Sequence, residues 1–214
     1  MTNDKSKDGY MTLEEHHAQL KGEGKWGEYQ ARHAQKEAER KKLWGEWNKA
    51  AEPFVKALKS VGIEVDTTDQ LLDGRKLDPA AIPVILEHVK KTTYPDQIRE
   101  MMLNALGSPV ARPYWNEMVE VFEKNTANLS PAIRYVAALA LVEMADKTVL
   151  DDVMRLVKER SLGRDRVPLL IALHRSKDPK AKMLLKELRD DPDLGPELKK
   201  MGRLSRLKGS DIVL

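Results

Sequence analysis

The stretch Ile133-Arg134-Tyr135-Val136-Ala137-Ala138-Leu139-Ala140-Leu141 decides the fold. Its apolar residues show helical spacing and no period-two alternation, so it reads as a helix. The pattern recurs around three arginines, Arg99, Arg134 and Arg166, which stand 35 and 32 residues apart. Six residues beyond them come Ala105, Ala140 and Ala172, and seven beyond come Leu106, Leu141 and Leu173. Met102-Leu103, Ala137-Ala138 and Leu169-Leu170 fill the third and fourth places. A second amphipathic segment precedes each anchor, at 81–89, 114–122 and 149–157. Two short helices per unit cannot bury their apolar faces alone and must stack on their neighbours.

Turn chemistry marks the boundaries. Asp78-Pro79, Ser130-Pro131 and Asp178-Pro179 each put a capping oxygen before a proline suited to a first helical position. Pro168, two residues past Arg166, delays or bends the third anchor helix. Upstream, 1–10 reads as a polar tail, and 11–60 reads as a helical arm or cap. Thr12 and Glu15 form a capping-box pair at its start. Trp26, Tyr29, Leu43 and Trp47 are sparse apolar positions along a polar helix, which Pro53 is expected to end or kink. Trp44 and Trp47, three apart, are expected to pack. The remainder, 61–214, divides into units of about 78–109, 110–147, 148–177 and 178–204.

The stretch 133–141 resembles the second helix of a HEAT repeat, V-R-x-x-A-A-x-A-L, and Ile82-Pro83-Val84-Ile85-Leu86 resembles its first helix, I-P-x-L-L. The region 61–201 is similar to bacterial HEAT-repeat proteins of the short kind also found in phycobilin lyases, with 82–106 and 166–194 carrying most of the likeness. The resemblance implies an all-α fold, an α-α superhelix forming a short solenoid, with the N-terminal arm added to it. It also implies an acid beside each repeat arginine. Asp96 fits that pattern, whereas Pro131 and Gly163 stand in the other two places, so no continuous ladder of such pairs is expected.

Composition limits the chemistry. The chain has 214 residues, 33% charged and 5% aromatic, and no cysteine, which removes thiolate nucleophiles, cysteine–zinc sites and disulfides. The start lacks the apolar core of a signal peptide, and no apolar run approaches a membrane span, so a cytoplasmic protein is expected. Net charge is +1 over 1–50, −3 over 51–150 and +5 over 151–214. Cations concentrate in 155–186, and Lys199, Lys200, Arg203, Arg206 and Lys208 extend the run. The candidate polyanion-binding residues are Arg155, Lys158, Arg160, Arg164, Arg175, Lys177 and Lys180. Arg166 is set apart, because its place in the repeat suits a structural hydrogen bond.

No motif points to catalysis, a cofactor or a metal. Glu14-Glu15-His16-His17 is ligand-rich, but adjacent helical residues point about 100° apart, so the two histidines are not expected to share a face. His33, His88 and His174 are expected at the surface or its boundary. Gly22-Glu23-Gly24-Lys25 lacks the spacing and the Ser or Thr of a phosphate loop. The expected function is non-catalytic: a repeat surface holding a protein partner. The alternatives are phosphate-backbone binding by the basic C-terminal units and, further off, a HEAT-like lyase or a DNA glycosylase using Trp44, Trp47 and Trp115.

Overall fold

The computed structural model describes residues 11–72, 76–124 and 130–201, and every regular element among them is helical. The tail 1–10 and Arg203, Arg206 and Lys208 lie outside the described residues. No helix among those described is long and apolar enough to cross a membrane. The chain divides into two compact units, Met1–Trp47 and Asn48–Leu214, with the division inside a helix.

The first unit holds α1 (Leu13–Gly22) and the larger part of α2 (Trp26–Ser60). Thr12 accepts from the Glu15 amide at 3.2 Å while the Glu15 carboxylate accepts from the Thr12 amide at 2.9 Å, so two free donors of the helix start are satisfied reciprocally. Residues 30–43 of α2 are exposed on every side.

The second unit takes the end of α2, where Ala51, Phe54 and Leu58 recur at helical spacing and are buried. Of the two outcomes expected at Pro53, an end or a kink, the end does not occur: α2 runs through Pro53. The proline leaves the Lys49 carbonyl without its helical donor, and both residues are exposed, so water can supply one. Then come α3 (Ala81–Val89), α4 (Asp96–Leu106), α5 (Trp115–Lys124), α6 (Pro131–Met144), α7 (Leu150–Lys158), α8 (Leu170–Arg175) and α9 (Pro179–Glu187). The pairs α3/α4, α5/α6 and α7/α8 pack internally, while α6 also packs on α4, on the 3-10 segment Arg160–Leu169 and on α8.

Helix α6 is the hub because its sequence allows approach on most sides. Ile133, Val136, Ala137, Ala138, Ala140, Leu141, Val142 and Met144 are buried. Burying one large aliphatic side chain contributes roughly 1.5–3 kcal/mol. The alanines let backbones come close: a Cβ on Gly107, just past α4, would stand 3.6 Å from the Ala140 Cα. Ser130 caps α6 by accepting from the Ile133 amide, as its Ser-Pro start predicts. The third pair is irregular where Pro168 predicts it. Residues Arg160–Leu169 form 3-10 turns around Gly163, whose φ of 53° and ψ of −132° suit glycine, and α8 begins only at Leu170.

The repeat arginines have structural roles. Arg99, nearly fully buried, donates through Nε to the Val89 carbonyl at the end of α3 (3.2 Å) and faces Asp96 at 3.9 Å. Arg166, 1% exposed, donates to the Val157 carbonyl near the end of α7 (2.9 Å) and to the Gly163 carbonyl (2.8 Å). Both therefore bind a carbonyl in the last turn of the preceding helix, where few intrahelical donors remain. Where Pro131 and Gly163 replace the local acid, more distant acids serve. Arg134 pairs with Asp165, and Arg166 pairs with Asp191 at 3.2 Å and Asp193 at 3.0 Å.

Candidate functional site

The seven candidate cations occupy different surroundings. Arg155 on α7 pairs with Glu123 of α5 (2.6 Å) and with Asp152 (3.2 Å). The Glu123 hydrogen bond is the largest influence holding its guanidinium above the ordinary arginine value. Arg164 pairs with Glu197 at 3.1 Å and donates to the Asp193 carbonyl at 3.3 Å. Arg175, at the end of α8, pairs with Glu143 of α6 at 2.9 Å. Lys180, in the first turn of α9, lies 3.8 Å from Asp151. Lys158, Arg160 and Lys177 are exposed and have no ion pair among the described residues.

Several of these residues share surroundings: Lys158 lines one depression with Arg155 and another with Arg160, and Asp151, which Lys180 approaches, lines the first. Arg155 and Lys158 line a shallow depression with Asp151, Met154 and Glu159. Lys158 and Arg160 line another with Leu184, Glu187, Leu188, Asp190 and Asp191. Arg175 and Lys177 belong to a third, at the ends of α6 and α8. Carboxylates line or rim all three hollows. Much of the basic excess of the sequence is therefore balanced locally.

A different surface lies on the second helix of each pair. The solvent side of α6 presents Ala132, Tyr135, Leu139 and Glu143 at helical spacing, with Tyr135 49% exposed. At the places equivalent to Tyr135 and Leu139, the next unit has Val167 and Ile171, both half-buried. The equivalent side of α4 shows Gln97, Glu100 and Asn104 with one half-buried apolar residue, Met101. The apolar character therefore begins at α6 and continues toward α8.

This surface leads through Glu143 to a hollow of about 260 Å³. Val142, Ala145, Leu150, Val153 and Ala172 form its apolar floor, and Glu143, Asp146, Lys147, Arg175 and Lys177 its rim. Asp146 is engaged by Arg112 at 2.9 Å and by the hydroxyl and amide of Thr148. The Thr148 side-chain and backbone hydrogen bonds hold its carboxyl below the usual range. Sequence reasoning missed this hollow, because α7 supplies part of the floor between the ends of two helices that are not consecutive in the chain.

Not all of the histidines meet expectation. His16 and His17 both approach the Tyr29 ring, at 5.8 and 5.5 Å between centroids, because α2 places that ring between their two directions. His17 also meets Trp26 at 4.8 Å. His88 is buried against Phe54, and its Nδ1 is 2.6 Å from the Tyr94 hydroxyl. Burial, and then Lys91, lower its pKa from the ordinary 6.5. His33 and His174 are exposed as expected. No group of three or more His, Cys, Asp or Glu among the described residues is placed to hold a metal ion. Trp44 and Trp47 form an edge-on pair at 6.1 Å, whereas Trp115 is buried with its indole N–H donated to Asp152 at 2.9 Å.

Comparison with family models, curated proteins and solved structures finds no match for this chain.

Proposed function

We propose that the chain is a non-catalytic binding protein, a short HEAT-like solenoid that holds a protein partner on the outer side of α6 and the segment following Arg166. The observation that carries this reading is the apolar stripe of Tyr135, Leu139, Val167 and Ile171, set beside a polar α4. An exposed tyrosine on a rigid helix suits a partner contact, because it offers area and a polar tip at small entropic cost. The solenoid reading is supported by the order of helix pairs and by ion pairs joining residues about one repeat apart. Glu123 with Arg155 and Glu143 with Arg175 are both separated by 32 residues.

The test places a photo-crosslinking phenylalanine derivative at position 135 and, as control, at Glu117, which is exposed on α5. A discrete protein adduct at 135 that is absent at 117 is expected. The same adducts at both positions, or none, would remove the reading. Polyanion binding is the second reading, kept alive by the unpaired Lys158, Arg160 and Lys177. Duplex binding at about 50 mM salt, lost in Arg160→Glu/Arg164→Glu, would install it instead.

A further inference from the structure

We propose that the hollow at the ends of α6 and α8 anchors one bulky apolar side chain of the partner, and that the partner carries Asp or Glu beside that residue. This rests on the reading of α6 as the partner-bearing helix and gives the partner a chemistry. The hollow measures about 260 Å³, below the roughly 300–1,000 Å³ of small-molecule sites. It suits a single large side chain, with Val142, Ala145, Leu150, Val153 and Ala172 to receive it.

The rim sets the charge. Glu143 is held by Arg175 at 2.9 Å, and Asp146 is held by Arg112 at 2.9 Å. Lys147 and Lys177 remain, both exposed and without an ion pair among the described residues. They stand just past the ends of α6 and α8. An apolar residue entering the hollow brings its chain neighbours near these two lysines, where a carboxylate is favoured and a cation is repelled. Helix ends attract cations in any protein, so floor and rim have to be tested separately.

The probe is a random seven-residue peptide library displayed on phage and selected on the full-length protein. Enrichment of sequences with Phe, Leu or Trp within two residues of Asp or Glu is expected. For a synthetic peptide of the selected sequence, followed by fluorescence anisotropy, two variants should each weaken binding about tenfold or more. Ala172→Leu fills the floor, and Lys147→Glu/Lys177→Glu reverses the rim; melting curves confirm that each remains folded. Tyr135→Ser provides the separate arm. Binding lost in Tyr135→Ser but intact in both hollow variants would overturn the anchor while leaving α6 as the docking helix. No enrichment over an unrelated protein, or binding unmoved by all three variants, would overturn both. Salt-sensitive capture of a duplex oligonucleotide, lost in the lysine double variant, would overturn the peptide assignment in favour of a polyanion.

Discussion

Arg166 has the most demanding environment in the second unit. A guanidinium that is 1% exposed loses its hydration, and it is tolerated because two carbonyls and the Asp191 and Asp193 carboxylates surround it. Arg166→Ala leaves the buried Asp191 without its cation and should cost about 3–5 kcal/mol in urea denaturation. Burial pushes the Asp191 carboxyl up. The Leu194 amide, Arg166 and the Asp193 amide outweigh that and hold it below its ordinary 3.8. Stability from this carboxylate is thus present above about pH 3.8 and disappears as pH falls through the depressed folded value. His88 acts in a milder range. Its folded pKa lies below 6.5, so below that pH the unfolded chain takes up a proton that the folded chain refuses. The melting temperature should therefore fall as pH drops below about 6.5, and a His88→Phe/Tyr94→Phe double variant should lack that component. An unchanged acid slope in the double variant would assign it to other groups.

At the scale of single elements, α6 is where packing is least forgiving. Ala140 is buried beside Gly107, and Ala140→Asp puts a carboxylate where neither room nor a partner exists. A loss of about 3 kcal/mol or more is expected in thermal or chemical unfolding. The limits of α3, the Ser130 cap of α6 and the late start of α8 were legible in the sequence, because each depends on residues a few places apart. The acids that serve Arg134 and Arg166 were not. The local position expected to hold an acid contains Pro131 or Gly163, and the carboxylates used come from farther along the chain. The burial of His88 was hidden for the same reason, since Phe54 reaches it from the far end of α2. The hollow beside α8 was illegible too: its floor residues look like ordinary core in each helix taken alone.

For the molecule as a whole, stability is unevenly distributed. Residues 30–43 of α2 are exposed all round and rest mainly on helix propensity and local pairs such as Gln35 with Glu39. An isolated stretch of that length is marginal in water, whereas α6 packs on α4, α5, α8 and the 3-10 segments Pro109–Tyr114 and Arg160–Leu169. Native-state hydrogen exchange should show amides 30–43 exchanging far faster than those of α6, with α6 opening only on global unfolding. Equal protection in both regions would mean that the exposed stretch is covered in solution.

The pairing of residues about one unit apart has a consequence for how this chain can change over generations. Arg112 reaches Met144, Glu123 reaches Arg155 and Glu143 reaches Arg175, each across 32 positions. All three spans include 143–144, so a single inserted or deleted residue near the end of α6 would put every pair out of step at once. Substitution at the two charged pairs carries no such penalty, since acid and base can trade places there without altering the interval, whereas position 112 must keep a donor for the Met144 carbonyl. Descendants of this gene should therefore vary at the exposed charged positions far more readily than in count across 112–175, with length changes admitted as whole units.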